Sequence, residues 1–138
     1  MSENTSKLKN ISLLSVALGD NQEPLTLGIP AYVSDVGKDV ENTGFLSAKL
    51  NKDASCESFR AASFQLDSIS NSLCFSDEHI VFLKIDVEGF ECQTIRGALK
   101  TIEAYLPTIQ IEYNSITNTV EEIAEIFSIM YALDYHCY

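Results

Sequence analysis

Residues 82–91, Phe-Leu-Lys-Ile-Asp-Val-Glu-Gly-Phe-Glu, restrict the fold more than any other stretch of the chain. An apolar run that halts on an acid and passes at once into a helix opening is how a buried parallel strand carries a carboxylate to the rim of an α/β sheet. Ligands bind at that rim. The run belongs to a near-continuously apolar strand predicted over residues 79–85, buried on both faces, which feeds a helix over residues 88–105. In that helix Cys92, Ile95, Leu99, Ile102 and Leu106 recur at steps of three and four and form one apolar stripe. Glu88 and Glu91 fall in its first turn, where the helix dipole favours negative charge. Pro107 then opens a strand over residues 108–113. The result is a βαβ unit with a right-handed crossover that sets Asp86 and Glu112 on one rim.

The flanking segments are less explicit. Residues 11–18 read as a strand closed by Gly19-Asp20-Asn21, and residues 24–29 as a weaker strand at an edge. Residues 32–43 are polar and acidic and read as a loop, while residues 44–50 and 58–66 are short strands of an antiparallel excursion. Beyond the βαβ unit, Thr119-Val120-Glu121-Glu122 has the spacing of a capping box, with Ile123, Ile126, Phe127 and Met130 as a core-facing stripe behind it. Residues 135–138 look like the start of a further strand. No repeat or internal linker divides residues 11–138, which form a single domain behind a disordered polar leader, residues 1–10.

Composition excludes several functions. The 138 residues carry 46% hydrophobic side chains, ordinary for a globular α/β domain, and a formal net charge of −11. Nucleic-acid binding draws on clustered Lys and Arg that are missing here, so no nucleic-acid partner is expected. No run is long enough to span a membrane. Cys56, Cys74, Cys92 and Cys137 are widely spaced without a Cys-x-x-Cys pair, which disfavours zinc and fits buried or idle thiols in a reducing, cytoplasmic setting.

The wording Lys84-Ile85-Asp86-Val87-Glu88-Gly89, followed by Arg96-Gly97-Ala98 and then by Pro107-Thr108-Ile109-Gln110-Ile111-Glu112, resembles the FkbM family of S-adenosylmethionine-dependent methyltransferases. Ser15-Val16-Ala17-Leu18-Gly19-Asp20 is similar to the family's third strand, Asn42-Thr43-Gly44 to the loop after it, and Phe64-Gln65-Leu66-Asp67-Ser68-Ile69 to the segment before the motif strand. The resemblance implies a partial Rossmann-like class I methyltransferase domain, with central parallel strands and flanking helices, lacking the N-terminal strands and glycine-rich turn that wrap the cofactor. It implies S-adenosylmethionine as cofactor and O-methylation of a hydroxyl on a sugar, polyketide or similar small acceptor. The alternative is a non-catalytic remnant or binding module of the same fold that works with another polypeptide. In the family's sheet the missing strands lie between strand 11–18 and strand 79–85. The chain must therefore leave strand edges open, to a partner chain or a second copy, or close the gap by pairing those two strands directly. Closure is the expectation for a compact form.

Methyl transfer from a sulfonium is an in-line displacement, so the protein supplies position, exclusion of water and sometimes a base for the acceptor hydroxyl. Asp86 is assigned to catalysis and to the cofactor, against the alternative of a plain helix N-cap. Glu112 joins it as catalytic. Glu88 and Asp20 are assigned to the cofactor, against a dipole partner and a turn residue respectively. Asp86, Glu112 and Asn114 are hard oxygen ligands of the type Mg²⁺ or Ca²⁺ accepts, but the pattern is too common for a metal to be assigned. His79 and His136 read as structural, and Tyr32, Tyr113 and Tyr138 as packing or pocket-lining residues.

Overall fold

The computed structural model describes residues 11–28, 58–70 and 80–138. The leader, the loop over residues 32–43 with Asn42 and Gly44, the strand over residues 44–50, Tyr32, Cys56, Cys74 and His79 lie outside these. Among the described residues, six strands pair two by two. β1 (Ala17–Leu18) runs parallel to β4 (Ser63–Phe64), β2 (Leu25–Gly28) antiparallel to β3 (Ser58–Ala61), and β5 (Phe82–Ile85) parallel to β6 (Thr108–Ile111). Four helices accompany them: α1 (Leu66–Ser70), α2 (Glu91–Arg96), α3 (Leu99–Tyr105) and α4 (Val120–Ala132). The class is α/β, and none of these helices is long and apolar enough to cross a membrane.

The core sits where α2, α3 and α4 meet β5. Ile85, Cys92, Ile95, Ala98, Ile102, Ile126 and Met130 are buried there together. The parallel pairing of β5 with β6 through the intervening helices is the predicted βαβ arrangement. Its register matches Ile85 with Ile111, and the Glu112 N–H continues the ladder by donating to the Ile85 carbonyl.

Several expectations need correction. The helix predicted over residues 88–105 is two helices. Gly97 and Ala98 interrupt it where Asp67 takes over the helical partners: its N–H donates to the Gly97 carbonyl at 3.0 Å and its carboxylate accepts from the Thr101 N–H, while Gly97 lies so close to the Gly19 carbonyl that a Cβ would overlap the oxygen. Both residues keep φ negative and ψ near zero, so the stripe continues across the break through Cys92, Ile95 and Ile102, while Leu99 and Leu106 are exposed. β5 is not buried on both faces, since Phe82 is 52% and Val81 74% exposed. The strand predicted over residues 11–18 shrinks to two residues, the length over which β4 accompanies it before α1 begins. The stretch over residues 58–66 changes partner at Ala62, whose carbonyl accepts from the Ala17 N–H, and so yields two strands. β1 pairs with β4 and not with β5, so the expected direct closure of the sheet is absent among the described residues. Residues 135–138 form no strand; Tyr135 instead donates its hydroxyl to the Pro107 carbonyl at 2.8 Å.

Helix ends account for the rest. Thr119 and Glu122 form the predicted capping box at α4. α3 has no cap from its own N-terminal neighbour; Asp67 on α1 supplies one, accepting from the Lys100 N–H at 3.1 Å and the Thr101 N–H at 2.8 Å.

Candidate functional site

The carboxyl ends of β5 and β6 lead into two loops, and these loops carry the acids that the sequence singles out. Asp86 follows β5 directly and Glu112 follows β6 directly, on adjacent parallel strands. Asp86 is not a helix cap: the N-cap position of α2 is Phe90, with no side-chain hydrogen bond. Its Oδ2 accepts from Lys84 Nζ at 2.7 Å, a pair formed because residues two apart on a strand share a face. Among the described residues no protein donor meets Oδ1. The hydrogen bond to Asp86, then its charge, raise the Lys84 ammonium above the ordinary lysine value.

Beyond Asp86 the chain turns left-handed, with φ 48° at Glu88 and 98° at Gly89. A non-glycine residue in that region costs about 1 kcal/mol, which Glu88 bears. Gly89 has no alternative, because a Cβ there would lie 2.6 Å from Thr117 Cβ. Glu88 is half-buried and not in the first turn of the helix, which starts at Glu91. Burial, and after it the negative charges of Asp86, Glu112 and Glu91, push its carboxyl above the ordinary glutamate range.

Beneath this surface lies a residue that sequence reasoning treated only as a dipole partner. Glu91 is 2% exposed, and both of its oxygens are used. Oε1 accepts from the Gly89 N–H at 3.1 Å and Oε2 from Asn118 Nδ2 in a short hydrogen bond. Asn118 Oδ1 in turn accepts from the Asn114 N–H at 3.2 Å. Asn114 folds its own loop: its Oδ1 accepts from the Ile116 N–H and its carbonyl from the N–H groups of Thr117 and Asn118. The sequence signal is an asparagine just before the capping box of α4, downstream of the glutamate that opens α2.

Asp20 stands elsewhere. It lies beside Arg96 at the opposite end of α2, with Oδ2 at 3.5 Å from the guanidinium, whose other donors clamp Glu125. The structure thus gathers Asp86, Glu88 and Glu112 on one rim and places Asp20 against the far end of α2. Among the described residues no group of three or more His, Cys, Asp or Glu side chains is arranged to hold a metal ion. A separate apolar groove of about 620 Å³ runs beside β6, lined by Pro107, Ile109, Phe127, Tyr135, Tyr138 and, at its rim end, Tyr113.

A family model, the methyltransferase FkbM domain, matches residues 2–137. Neither the curated proteins nor the solved structures gave a match to the chain.

Proposed function

The chain belongs to the FkbM methyltransferase domain family, and on that premise we propose that it serves S-adenosylmethionine-dependent O-methylation of a hydroxyl on a small acceptor such as a sugar or polyketide. The observation that carries this reading is the juxtaposition of Asp86 and Glu112 on adjacent parallel strand ends, with Glu88 half-buried between charges of its own sign. Such a rim favours cations, because a positive charge relieves the repulsion among the carboxylates. S-adenosylmethionine carries a sulfonium and an ammonium, and Asp86 and Glu88 would hold it; when bound it supplies an electrophilic methyl group. Asp86 Oδ1 is the acceptor that takes the proton of the substrate hydroxyl, while Lys84 fixes the other oxygen. Glu112 orients the acceptor from the neighbouring strand. Asp20 belongs to the cofactor's side of the site only if the donor extends along α2 toward Arg96.

A second reading is a non-catalytic module of the same fold that works with another polypeptide. The 138 residues contain no Asp-x-Gly-x-x-x-Gly turn to enclose the donor. Calorimetric titration separates the two: S-adenosylmethionine binding at low-micromolar affinity by this chain would rule out the module.

The functional reading is tested by Asp86→Asn in the protein that carries this chain, using labelled S-adenosylmethionine and a panel of hydroxyl compounds. Transfer falls roughly 10²-fold or more, the scale of a lost general base. Because Asp86 caps no helix, stability is little changed by Asp86→Asn and by Asp86→Ala alike. Unchanged transfer in Asp86→Asn would remove Asp86 from the mechanism.

A further inference from the structure

We propose that Glu91 and Asn118 are positioning residues, whose buried hydrogen-bonded pair sets the spacing of the two rim loops so that Asp86 and Glu88 on one, and Glu112 and Asn114 on the other, form a single site. This rests on the reading of the rim as the seat of methyl transfer. Four groups connect in one chain from loop to loop: the Gly89 N–H donates to Glu91, Asn118 donates to Glu91, and the Asn114 N–H donates to Asn118. One end of that chain lies three residues beyond Asp86, the other two residues beyond Glu112. Gly89 and Thr117 approach closely across the same gap, since a Cβ at position 89 would lie 2.6 Å from Thr117 Cβ.

Polarity fixes the orientation. A carboxylate only accepts, so Asn118 must turn its NH₂ toward Glu91 and its oxygen toward the Asn114 N–H. A leucine at position 91 would fill the space and orient nothing. The charged groups that act on Glu88 are the acids Asp86, Glu112 and Glu91, with Lys84 as the cation paired to Asp86.

Three variants of the 138-residue chain test the proposal, read by amide hydrogen exchange and by NMR titration of the Glu88 carboxyl. Asn118→Ala keeps every carboxylate but cuts the chain. Exchange at Gly89 and Asn114 speeds up about tenfold, and the Glu88 midpoint falls as the loops part. Glu91→Gln forces one donor against another whichever way the two amides are flipped, and gives the same acceleration. Glu91→Gln combined with Asn118→Asp restores every partner: the introduced amide accepts from the Gly89 N–H and donates to the introduced carboxylate, which accepts from the Asn114 N–H. The double variant therefore recovers wild-type exchange at both amides. A purely structural pair lowers the melting temperature of the single variants yet leaves the Glu88 midpoint of Asn118→Ala in place, and that outcome overturns the proposal. So does a double variant no better than the singles. Should the singles fail to fold, a folded double variant with wild-type exchange supports the pairing, and an unfolded one refutes it. Absence of methyl transfer by the wild-type protein would count against the functional reading alone, since the exchange and titration results do not depend on it.

Discussion

Two sets of carboxylates lie within a few residues of one another, and the protein treats them in opposite ways. On the rim, Asp86 and Glu112 are exposed and Glu88 is half-buried, with its carboxyl held above the ordinary range by burial and by its acidic neighbours. Under the rim, Glu91 is almost wholly buried yet meets a donor at each oxygen. Burying a charge is costly unless hydrogen bonds replace its water, and Glu91 shows that condition satisfied. The rim acids sit closer to solvent, with Asp86 paired to Lys84 and Glu88 raised by burial and by its acidic neighbours, in a place where an external cation relieves the repulsion among them. A strand end followed by a left-handed turn makes both possible, since the turn aims the Gly89 N–H at Glu91 while lifting Glu88 away from the core.

The sharpest way to break this contrast is at the turn itself. Gly89→Ala imposes φ 98° on a residue with a side chain and drives that side chain into Thr117, so denaturant unfolding should show a loss of about 3 kcal/mol or more. Next comes Glu91→Leu, which leaves the Gly89 and Asn118 donors buried without an acceptor; a loss of about 2 kcal/mol is expected in the same measurement. Its counterpart on the rim, Glu112→Gln, should stay within about 0.5 kcal/mol of the wild type, and a loss equal to that of Glu91→Leu would erase the distinction between the two sets.

The smallest effect concerns pH. The folded carboxyl of Glu88 holds its proton more tightly than the unfolded one, so its favourable contribution is full below the unfolded value and is lost as pH rises through the folded midpoint. Glu88→Gln escapes that loss while keeping a side chain at φ 48°. It should melt slightly higher than wild type at neutral pH and show no advantage below about pH 4, where both carry a neutral side chain. The reverse sign would mean that Glu88 is ionised at a profit in the folded state.

How much of this was written in the chain depended on the range of the interaction. The parallel pairing of β5 and β6, the two acids on one rim and the capping box at Thr119 follow from local patterns, and the structure contains each of them. The break between α2 and α3 was hidden, because Gly97 and Ala98 leave the apolar stripe in phase and the group that takes the Gly97 carbonyl and the Thr101 N–H is the distant Asp67. Glu91 was hidden for a similar reason: its acceptor role depends on Asn118, 27 residues away. The exposure of Val81 and Phe82 contradicts their hydropathy: among the described residues the helices cover the face of β5 that carries Ile85, and Phe82 and Lys84 on the opposite face stay exposed.

Asp67 has a kinetic consequence. α3 spans seven residues, too few to persist alone, and the carboxylate that receives its first amides comes from α1, 33 residues earlier in the chain. Its nucleation must wait until that loop has closed, which makes the α1–α3 contact a gate on the order of folding. Substitution of Asp67 would then slow refolding as well as weaken the native state, which is the mark of a residue already engaged at the barrier.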